Sequence, residues 1–164
     1  MSKKIILNND QLNLSIDRLA CQLTENHYDF NDTVLVGLQP RGKSLCENIV
    51  KILLSKYKIN KVDHGFLDIT FFRDDFRRNK DILLPNKNDF KLLVENKKVV
   101  FVDDVLYTGR TIRAALTAIE SFGRPKTIEL LILVDRRFSR ELPIQPDYKG
   151  VQVDVYENQK VNVK

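Results

Sequence analysis

The sequence predicts an α/β fold built on a central, mainly parallel sheet with helices on its faces. Residues 33–38, 99–102 and 127–134 are apolar runs rich in β-branched residues, which is typical of strands buried on both faces. The first two runs each lead through a turn into a helical pattern, and this alternation indicates βαβ units with parallel strands. Because open parallel sheets bind ligands at the carboxyl ends of their strands, functional residues are expected there.

Length and composition indicate one globular domain over residues 1–164. Of the 164 residues, 43% are hydrophobic and 30% are charged, which excludes a disordered chain. The net charge of +5 favours anionic partners such as nucleotides, diphosphates or RNA. Cys21 and Cys46 match no metal-ligand spacing, so we expect reduced thiols in a cytoplasmic protein. The sequence shows no signal-peptide pattern and no membrane-spanning stretch, so no membrane partner is expected.

The first third of the chain is expected to contain an edge strand and two helices. Residues 4–7 are predicted to form a short edge strand. Apolar residues at helical spacing predict a structural helix over 10–25, which Asn9 or Asp10 caps. A second helix is predicted over 44–56, directly after the first buried strand.

The remaining elements are predicted by the same patterns. Residues 65–72 are expected to form another strand, and the irregular segment 76–97 is expected to be a long loop. A helix is predicted over 111–122, with Gly123 at its C-terminal end. The alternating apolar and polar residues of 151–163 predict a final hairpin.

The turn after the first buried strand carries two candidate binding residues. Gly42 would let the backbone approach a ligand closely, and the guanidinium of Arg41 is suited to an anion. The alternative is a proline-assisted turn with a surface arginine. We favour the functional interpretation because the βαβ topology places this turn at the same edge of the sheet as the acidic pair described next.

The stretch VVFVDDVLYTGRTIR, residues 99–113, is the most informative part of the chain. Its apolar strand ends in Asp103 and Asp104, and the turn TGRT at 108–111 then opens a helix. Helix N-terminal N–H groups, threonine hydroxyls and an arginine suit a phosphate. The two carboxylates suit sugar hydroxyls or a hydrated cation instead. The stretch therefore predicts a ligand that contains both a phosphate and a polyol.

A purely structural interpretation of this stretch stays open. One aspartate at a strand end usually caps a turn, and Thr111 is able to cap the following helix. Two adjacent aspartates between a fully apolar strand and a glycine turn make this interpretation the weaker of the two.

Three segments of the chain resemble one known family. Residues 99–111, VVFVDDVLYTGRT, resemble the signature with which type I phosphoribosyltransferases bind phosphoribosyl pyrophosphate (PRPP), and no P-loop or dinucleotide-binding pattern surrounds them. DITFFRDD at 68–75 and RELPI at 140–144 resemble the pyrimidine operon regulatory branch of these enzymes. That branch often has a glycine-histidine pair where this chain has RFS at 137–139. The resemblance covers nearly the whole chain.

The resemblance implies a type I phosphoribosyltransferase fold with a small hood over the base. It implies that Asp103, Asp104 and Arg73 are catalytic, that Arg73 contacts pyrophosphate across a subunit boundary in a homodimer or higher homo-oligomer, and that a loop over 76–97 closes over PRPP. Magnesium is implied as a cofactor that binds through PRPP without a direct protein ligand. The residues implied to bind PRPP or nucleotide are Arg41, Gly42, Arg73, Asp103, Asp104, Tyr107, Thr108, Gly109, Arg110 and Thr111, and the hood residues are Asp135, Arg136 and Arg137.

The function implied by the resemblance has two parts. The first is uracil phosphoribosyltransferase activity, which converts uracil and PRPP into UMP and pyrophosphate. The second is regulation, in which pyrimidine operon mRNA is bound in response to UMP or UTP. Two alternatives stay open: an RNA-binding attenuator whose catalysis is weak or lost, and another base-salvage phosphoribosyltransferase. The motifs DITFFRDD and RELPI favour the pyrimidine branch.

An RNA-binding role would require a basic face on the folded protein. No RRM or KH signature is present, and each basic residue taken alone is more often a solvated surface residue. The candidates for such a face are Lys3, Lys4, Lys51, Lys56, Lys58, Lys61, Arg77 and Arg78.

Overall fold

The computed structural model describes residues 4–69, 94–154 and 159–163. The helices and strands, in chain order, are α1 (Asn9–His27), β1 (Thr33–Gln39), α2 (Gly42–Ser55), β2 (Asp63–Asp68), β3 (Lys98–Leu106), α3 (Arg110–Ile119), a 3-10 turn (Glu120–Phe122), β4 (Thr127–Arg137) and β5 (Tyr148–Asp154).

The strands form one five-stranded sheet in the order β2-β1-β3-β4-β5, and every pair of neighbours is parallel. This confirms the predicted α/β fold with a parallel sheet. After β1 the chain adds β2 on one side, and it then returns to add β3 on the other side. The strand order therefore reverses between β1 and β3, and the carboxyl ends of these two strands flank the crevice in which such sheets bind ligands.

Two apolar cores cover the two faces of the sheet. Helices α1 and α2 pack on one face, against side chains that include Leu35, Val100 and Leu131. Helix α3 packs on the other face, against side chains that include Phe101 and Ile132. In the middle of β1, β3 and β4, successive residues thus enter opposite cores, which explains why these strands read as continuous apolar runs.

Several element boundaries differ from the sequence-based expectations. Residues 4–7 form no strand. Asn8 caps α1, and not the predicted Asn9 or Asp10. The side chain of Asn8 accepts from the backbone N–H of Gln11 at 2.9 Å, and the Gln11 side chain accepts from the N–H of Asn8 at 3.0 Å. The predicted hairpin over 151–163 is wrong, because its first half belongs to β5, which runs parallel to β4, and residues 159–163 contain no strand.

Strands β3 and β4 are longer than their apolar runs. Asp103 pairs with Ile132 and Leu106 pairs with Asp135 in the parallel ladder. The acidic pair therefore lies within β3 and not after it, because the ladder continues through the polar residues. Strand β2 ends at Asp68, and residues 70–72 of the predicted strand lie outside the described part of the chain.

Within the described part of the chain, the helices are too short or too polar to cross a bilayer.

Candidate active site at the carboxyl ends of β1 and β3

Gly42 brings the start of α2 into direct contact with β3. A Cβ atom at this position would lie 2.2 Å from the carbonyl oxygen of Val102 and 3.2 Å from the Cα of Asp103. Only glycine permits this approach, and it lets α2 begin on the strand that carries the acidic pair. The preceding residue, Arg41, places Nη1 3.8 Å from Oδ2 of Asp104. The structure thus brings together the two motifs that the sequence places at one edge of the sheet.

Asp103 and Asp104 form a buried pair of neighbouring carboxylates. Each residue is 7% exposed, and the backbone N–H of Asp104 donates to Oδ1 of Asp103 at 2.9 Å. Burial, followed by the charge of Asp104, raises the pKa of Asp103 to about 7. The pair is costly without a ligand, because burial disfavours both charges, and a ligand that donates hydrogen bonds or carries a cation would relieve this cost.

The turn between β3 and α3 has the geometry of an anion cradle. Gly109 has φ 93° and ψ −3°, a left-handed conformation that favours glycine, and Arg110 is the first residue of α3. The N–H of Arg110 lies 3.3 Å from Oγ1 of Thr108. Thr108 and Thr111 are both partly exposed. A left-handed glycine directly before a helix start, with two partly exposed threonines beside it, is suited to a phosphate.

The N-termini of α2 and α3 differ from that of α1. Within the described residues, no side chain caps α2 at Arg41 or α3 at Gly109, whereas Asn8 and Gln11 form a complete capping box at α1. Apart from the N–H of Arg110, which donates to Oγ1 of Thr108, the first N–H groups of α2 and α3 therefore have no side-chain cap among the described residues. Both of these helices begin at the carboxyl ends of β1 and β3, on the two sides of the acidic pair.

The predicted hood residues Arg136 and Arg137 take different positions. Arg136 is 6% exposed, its guanidinium carbon lies 3.9 Å from the ring centre of Tyr107, and its Nη2 donates to the carbonyl oxygen of Gln159 at 3.0 Å. The Nε of Arg136 is buried without a partner among the described residues. Arg137 is exposed and forms two 2.7 Å hydrogen bonds with Asp154 of β5. The structure therefore brings Arg136, but not Arg137, to Tyr107. This residue immediately precedes the turn 108–111, which we call the phosphate turn.

The segment 138–147 after β4, which we call the hood segment, crosses the phosphate turn. Within it, Arg140 donates from Nη1 to the carbonyl oxygen of Tyr107 at 2.7 Å and from Nη2 to the carboxylate of Asp135. Glu141 accepts from Nε of Arg110 at 2.7 Å. Both residues belong to the motif RELPI, from which no individual role is predicted, because only the folded chain brings the hood segment to this turn.

Some predictions concern residues outside the described ranges. Arg73, most of the loop 76–97, Lys3, Arg77 and Arg78 belong to this group, and the roles assigned to them stay predictions. Both cysteines are free, and burial raises the pKa of the Cys46 thiol to about 12, which keeps it protonated.

Fold and site together define a phosphoribosyltransferase. The chain matches the model of the phosphoribosyl transferase domain over residues 2–164. Among solved structures, a hypoxanthine phosphoribosyltransferase from Staphylococcus aureus has a TM-score of 0.71 at 21% identity, covering 93% of this chain and 78% of that chain. The hypoxanthine phosphoribosyltransferase of Trypanosoma cruzi has a TM-score of 0.72 at 16% identity, covering 93% of this chain and 82% of that chain. At these identities the likeness concerns the fold, and it confirms the predicted type I phosphoribosyltransferase fold.

Relatives with higher identity narrow this class to one branch. The bifunctional protein PyrR of Picosynechococcus sp. is 42% identical over 165 residues, covering 99% of this chain and 92% of that protein. The bifunctional protein PyrR of Thermoanaerobacter sp. is 44% identical over 161 residues, covering 98% of this chain and 89% of that protein. The chain belongs to the family of bifunctional PyrR proteins. This confirms the branch that the motifs DITFFRDD and RELPI indicate.

Proposed function

We propose that the carboxyl ends of β1 and β3 form the active site at which this chain transfers the phosphoribosyl group of PRPP to uracil. As a member of the PyrR family, the chain is a regulator of pyrimidine biosynthesis with uracil phosphoribosyltransferase activity. The observation that carries the assignment of the site is the contact of Arg41 and Gly42 with the part of β3 that contains Asp103 and Asp104. It puts an anion-binding helix start beside two carboxylates, which matches a ligand with phosphates on both sides of a sugar.

The phosphate turn is the proposed holder of the 5′-phosphate. The start of α3 and the hydroxyls of Thr108 and Thr111 would bind the dianion, and the guanidinium of Arg110, which pairs with Glu141 in the structure, would add a positive charge beside them. A fixed 5′-phosphate orients the sugar relative to the acidic pair. Positioning of this kind lowers the entropic part of the barrier.

The acidic pair is the proposed stabiliser of the sugar during the reaction. When the anomeric bond breaks, positive charge develops on the ribose and negative charge develops on pyrophosphate. The carboxylates of Asp103 and Asp104 accept hydrogen bonds from the ribose hydroxyls and favour the cationic sugar, while Arg41 and the start of α2 favour the departing anion. Burial raises the pKa of the Asp103 carboxyl. The charged form of this carboxylate is therefore most favourable when the cationic sugar lies beside it.

The same pair fits a magnesium ion that arrives with PRPP. Proteins commonly bind Mg²⁺ through one or two carboxylates while phosphate oxygens and water complete the shell. Asp103 and Asp104 are buried acids whose one nearby cation among the described residues is Arg41, so they are suited to a second positive charge. When bound, the ion would neutralise charge on the leaving pyrophosphate.

Asp135, Arg136 and Tyr107 are the proposed base-side residues. Arg136 stacks on the Tyr107 ring and keeps one buried donor, Nε, without a partner among the described residues. A carbonyl oxygen of a pyrimidine would satisfy such a donor. No general base is assigned, since uracil is able to lose its proton late in the reaction.

The test of this function is conversion of labelled uracil to UMP with PRPP and Mg²⁺, with hypoxanthine and orotate assayed in parallel. We expect turnover with uracil and much slower turnover with the other two bases. Faster turnover with hypoxanthine or orotate would establish another base-salvage enzyme in place of the proposed one. Turnover with none of the three bases, in a protein that still binds UMP, would favour the regulator whose catalysis is lost.

The regulatory part of the proposal is binding of pyrimidine operon mRNA in response to UMP or UTP. Membership of the bifunctional family and the net charge of +5 support it. The described candidates for the basic face, Lys4, Lys51, Lys56, Lys58 and Lys61, are all exposed, although Lys56 pairs with Asp17 and Lys61 pairs with Asp63. RNA affinity should fall steeply between low and physiological salt, because phosphate contacts release counterions. A flat salt response in a filter-binding titration would contradict it.

A further inference from the structure

The hood segment and the phosphate turn are joined by backbone contacts. The N–H groups of Glu141 and Leu142 lie 3.0 Å and 3.3 Å from the carbonyl oxygen of Thr108. A Cβ atom at Gly109 would lie 3.3 Å from Cδ1 of Ile144 and 3.4 Å from Cβ of Leu142. The hood segment therefore packs closely on the turn, and a shift of one displaces the other.

The side chain of Arg140 links these backbone contacts to the base side of the site. Arg140 uses two nitrogens of a single guanidinium: Nη1 donates to the carbonyl oxygen of Tyr107 at 2.7 Å, and Nη2 donates to Oδ1 of Asp135. Its side chain is 22% exposed and that of Asp135 is 10% exposed, so the ion pair is largely shielded from water. Tyr107 immediately precedes the phosphate turn, and Asp135 lies near the end of β4.

The planar shape of the guanidinium makes this link rigid. A fork with fixed N–H directions that is bound to two partners fixes their relative positions, whereas the ammonium of a lysine would reach only one of them well. The position of the Asp135 carboxylate is thus tied to the position of the Tyr107 carbonyl. The Tyr107 ring is also contacted by Arg136, whose guanidinium carbon lies 3.9 Å from the ring centre.

We infer that Arg140 is a positioning residue that couples the phosphate turn to the base pocket, so that Asp135 is held in place for the base of a ligand whose 5′-phosphate occupies the turn. The inference rests on the proposed function, because it takes Asp135 as a base-side residue and residues 108–111 as the phosphate site. A phosphate that orders the turn also fixes the carbonyl of Tyr107, and Arg140 transmits this order to Asp135. Arg140 itself touches neither the phosphate nor the base.

The experiment compares two ligands that differ by the base. Dissociation constants of UMP and of ribose 5-phosphate are measured by titration calorimetry, and their ratio isolates the contribution of the base. For Arg140→Met we expect a roughly tenfold smaller preference for UMP, with the affinity for ribose 5-phosphate changed less than threefold. Arg140→Lys should lie between this variant and the wild type.

Three further variants separate coupling from simple stabilisation. Asp135→Asn should reduce the preference for UMP about as much as Arg140→Met, and the double variant should show no more loss than the larger single effect, because both changes break one link. Asp154→Asn removes a similar arginine–aspartate pair between β4 and β5 and should leave the preference unchanged. An equal loss of affinity for both ligands in Arg140→Met, or no loss, would overturn the inference. If Arg140→Met fails to fold, Arg140→Lys and Asp135→Asn give the same decision.

Failure of the proposed function gives a different result. A wild-type protein that prefers IMP or orotidine monophosphate to UMP would contradict the uracil assignment, and the coupling would then be measured with that nucleotide against ribose 5-phosphate. A wild-type protein that binds no nucleotide more tightly than ribose 5-phosphate has no base pocket to couple, and this result would overturn both proposals.

Discussion

The two ends of the sheet are built in opposite ways, and the amino end is the self-sufficient one. There the buried ring of His27 lies 2.9 Å from Oγ1 of Thr33 and 3.0 Å from Oε2 of Glu129. The hydroxyl of Tyr148 donates to the same Glu129 oxygen at 2.7 Å and accepts from Nδ2 of Asn26 at 2.9 Å. Burial and the Glu129 carboxylate raise the pKa of Tyr148, which keeps it protonated as a donor. Helix α1 and strands β1, β4 and β5 are joined by groups that satisfy one another.

The carboxyl end contains polar groups that the described chain leaves incompletely satisfied. Two carboxylates are buried side by side, and helices α2 and α3 begin beside them without side-chain caps. We infer from this difference that the amino end stabilises the fold, whereas the carboxyl end serves ligand binding at a cost to stability. Substitutions at the two ends should therefore separate activity from stability.

The largest effect is expected when both carboxylates of the pair lose their charge. Asp103→Asn combined with Asp104→Asn should lower kcat/KM for uracil by about a thousandfold, because the stabilisation of the cationic sugar is lost. Circular dichroism and thermal unfolding should show a folded protein that is at least as stable as the wild type. Near-normal turnover in this folded variant would remove the acidic pair from the active site.

A methyl group at the contact between α2 and β3 should lower both the stability of the fold and the affinity for pyrophosphate. Gly42→Ala places a Cβ atom 2.2 Å from the carbonyl oxygen of Val102, so α2 must move away from β3. We expect a loss of about 1–3 kcal/mol in the free energy of unfolding and a weaker affinity for pyrophosphate. Urea unfolding and pyrophosphate titration measure the two quantities. An unchanged pyrophosphate affinity would show that the start of α2 does not bind this anion.

Disruption of the amino end should lower stability alone. His27→Ala removes the ring that joins Thr33 to Glu129 and should cost about 2–3 kcal/mol in the free energy of unfolding, through lost packing and unpaired buried groups. Tyr148→Phe, which keeps the ring and removes the hydroxyl, should cost about 1 kcal/mol. Well below the unfolding temperature, kcat/KM of both variants should stay within about threefold of wild type. A much larger loss of activity in folded Tyr148→Phe would contradict the separation of the two ends.

The sequence was sufficient to predict which residues meet at this edge of the sheet, because the information is local. An apolar strand, an acidic pair and a glycine turn are neighbours in the chain, and parallel topology brings Arg41 to the same edge. It was not sufficient for contacts between distant segments. The strand order, the placement of His27 in a buried network and the reach of Arg140 to Tyr107 depend on tertiary packing, which no short pattern encodes.

Polar residues also concealed the true extent of the strands. Asp103 and Asp135 interrupt apolar runs, so the pattern predicts strand ends before them, while the backbone ladder continues to Leu106 and Arg137. Ladder hydrogen bonds do not depend on side-chain polarity, and burial of an acid at such a position is tolerated where function requires it.

The most direct test of the contrast between the two ends of the sheet is the pH dependence of stability in Asp103→Asn. The pKa of Asp103 in the folded protein lies above the ordinary value of 3.8, so the folded state binds this proton more tightly and the wild type loses stability as pH rises from about 4 to about 7. Asparagine cannot ionise. Urea unfolding should therefore find the variant more stable by about 1–2 kcal/mol at pH 8 and no more stable near pH 4, while kcat/KM at pH 8 falls at least about a hundredfold. A variant that is less stable than wild type at pH 8 would contradict the account.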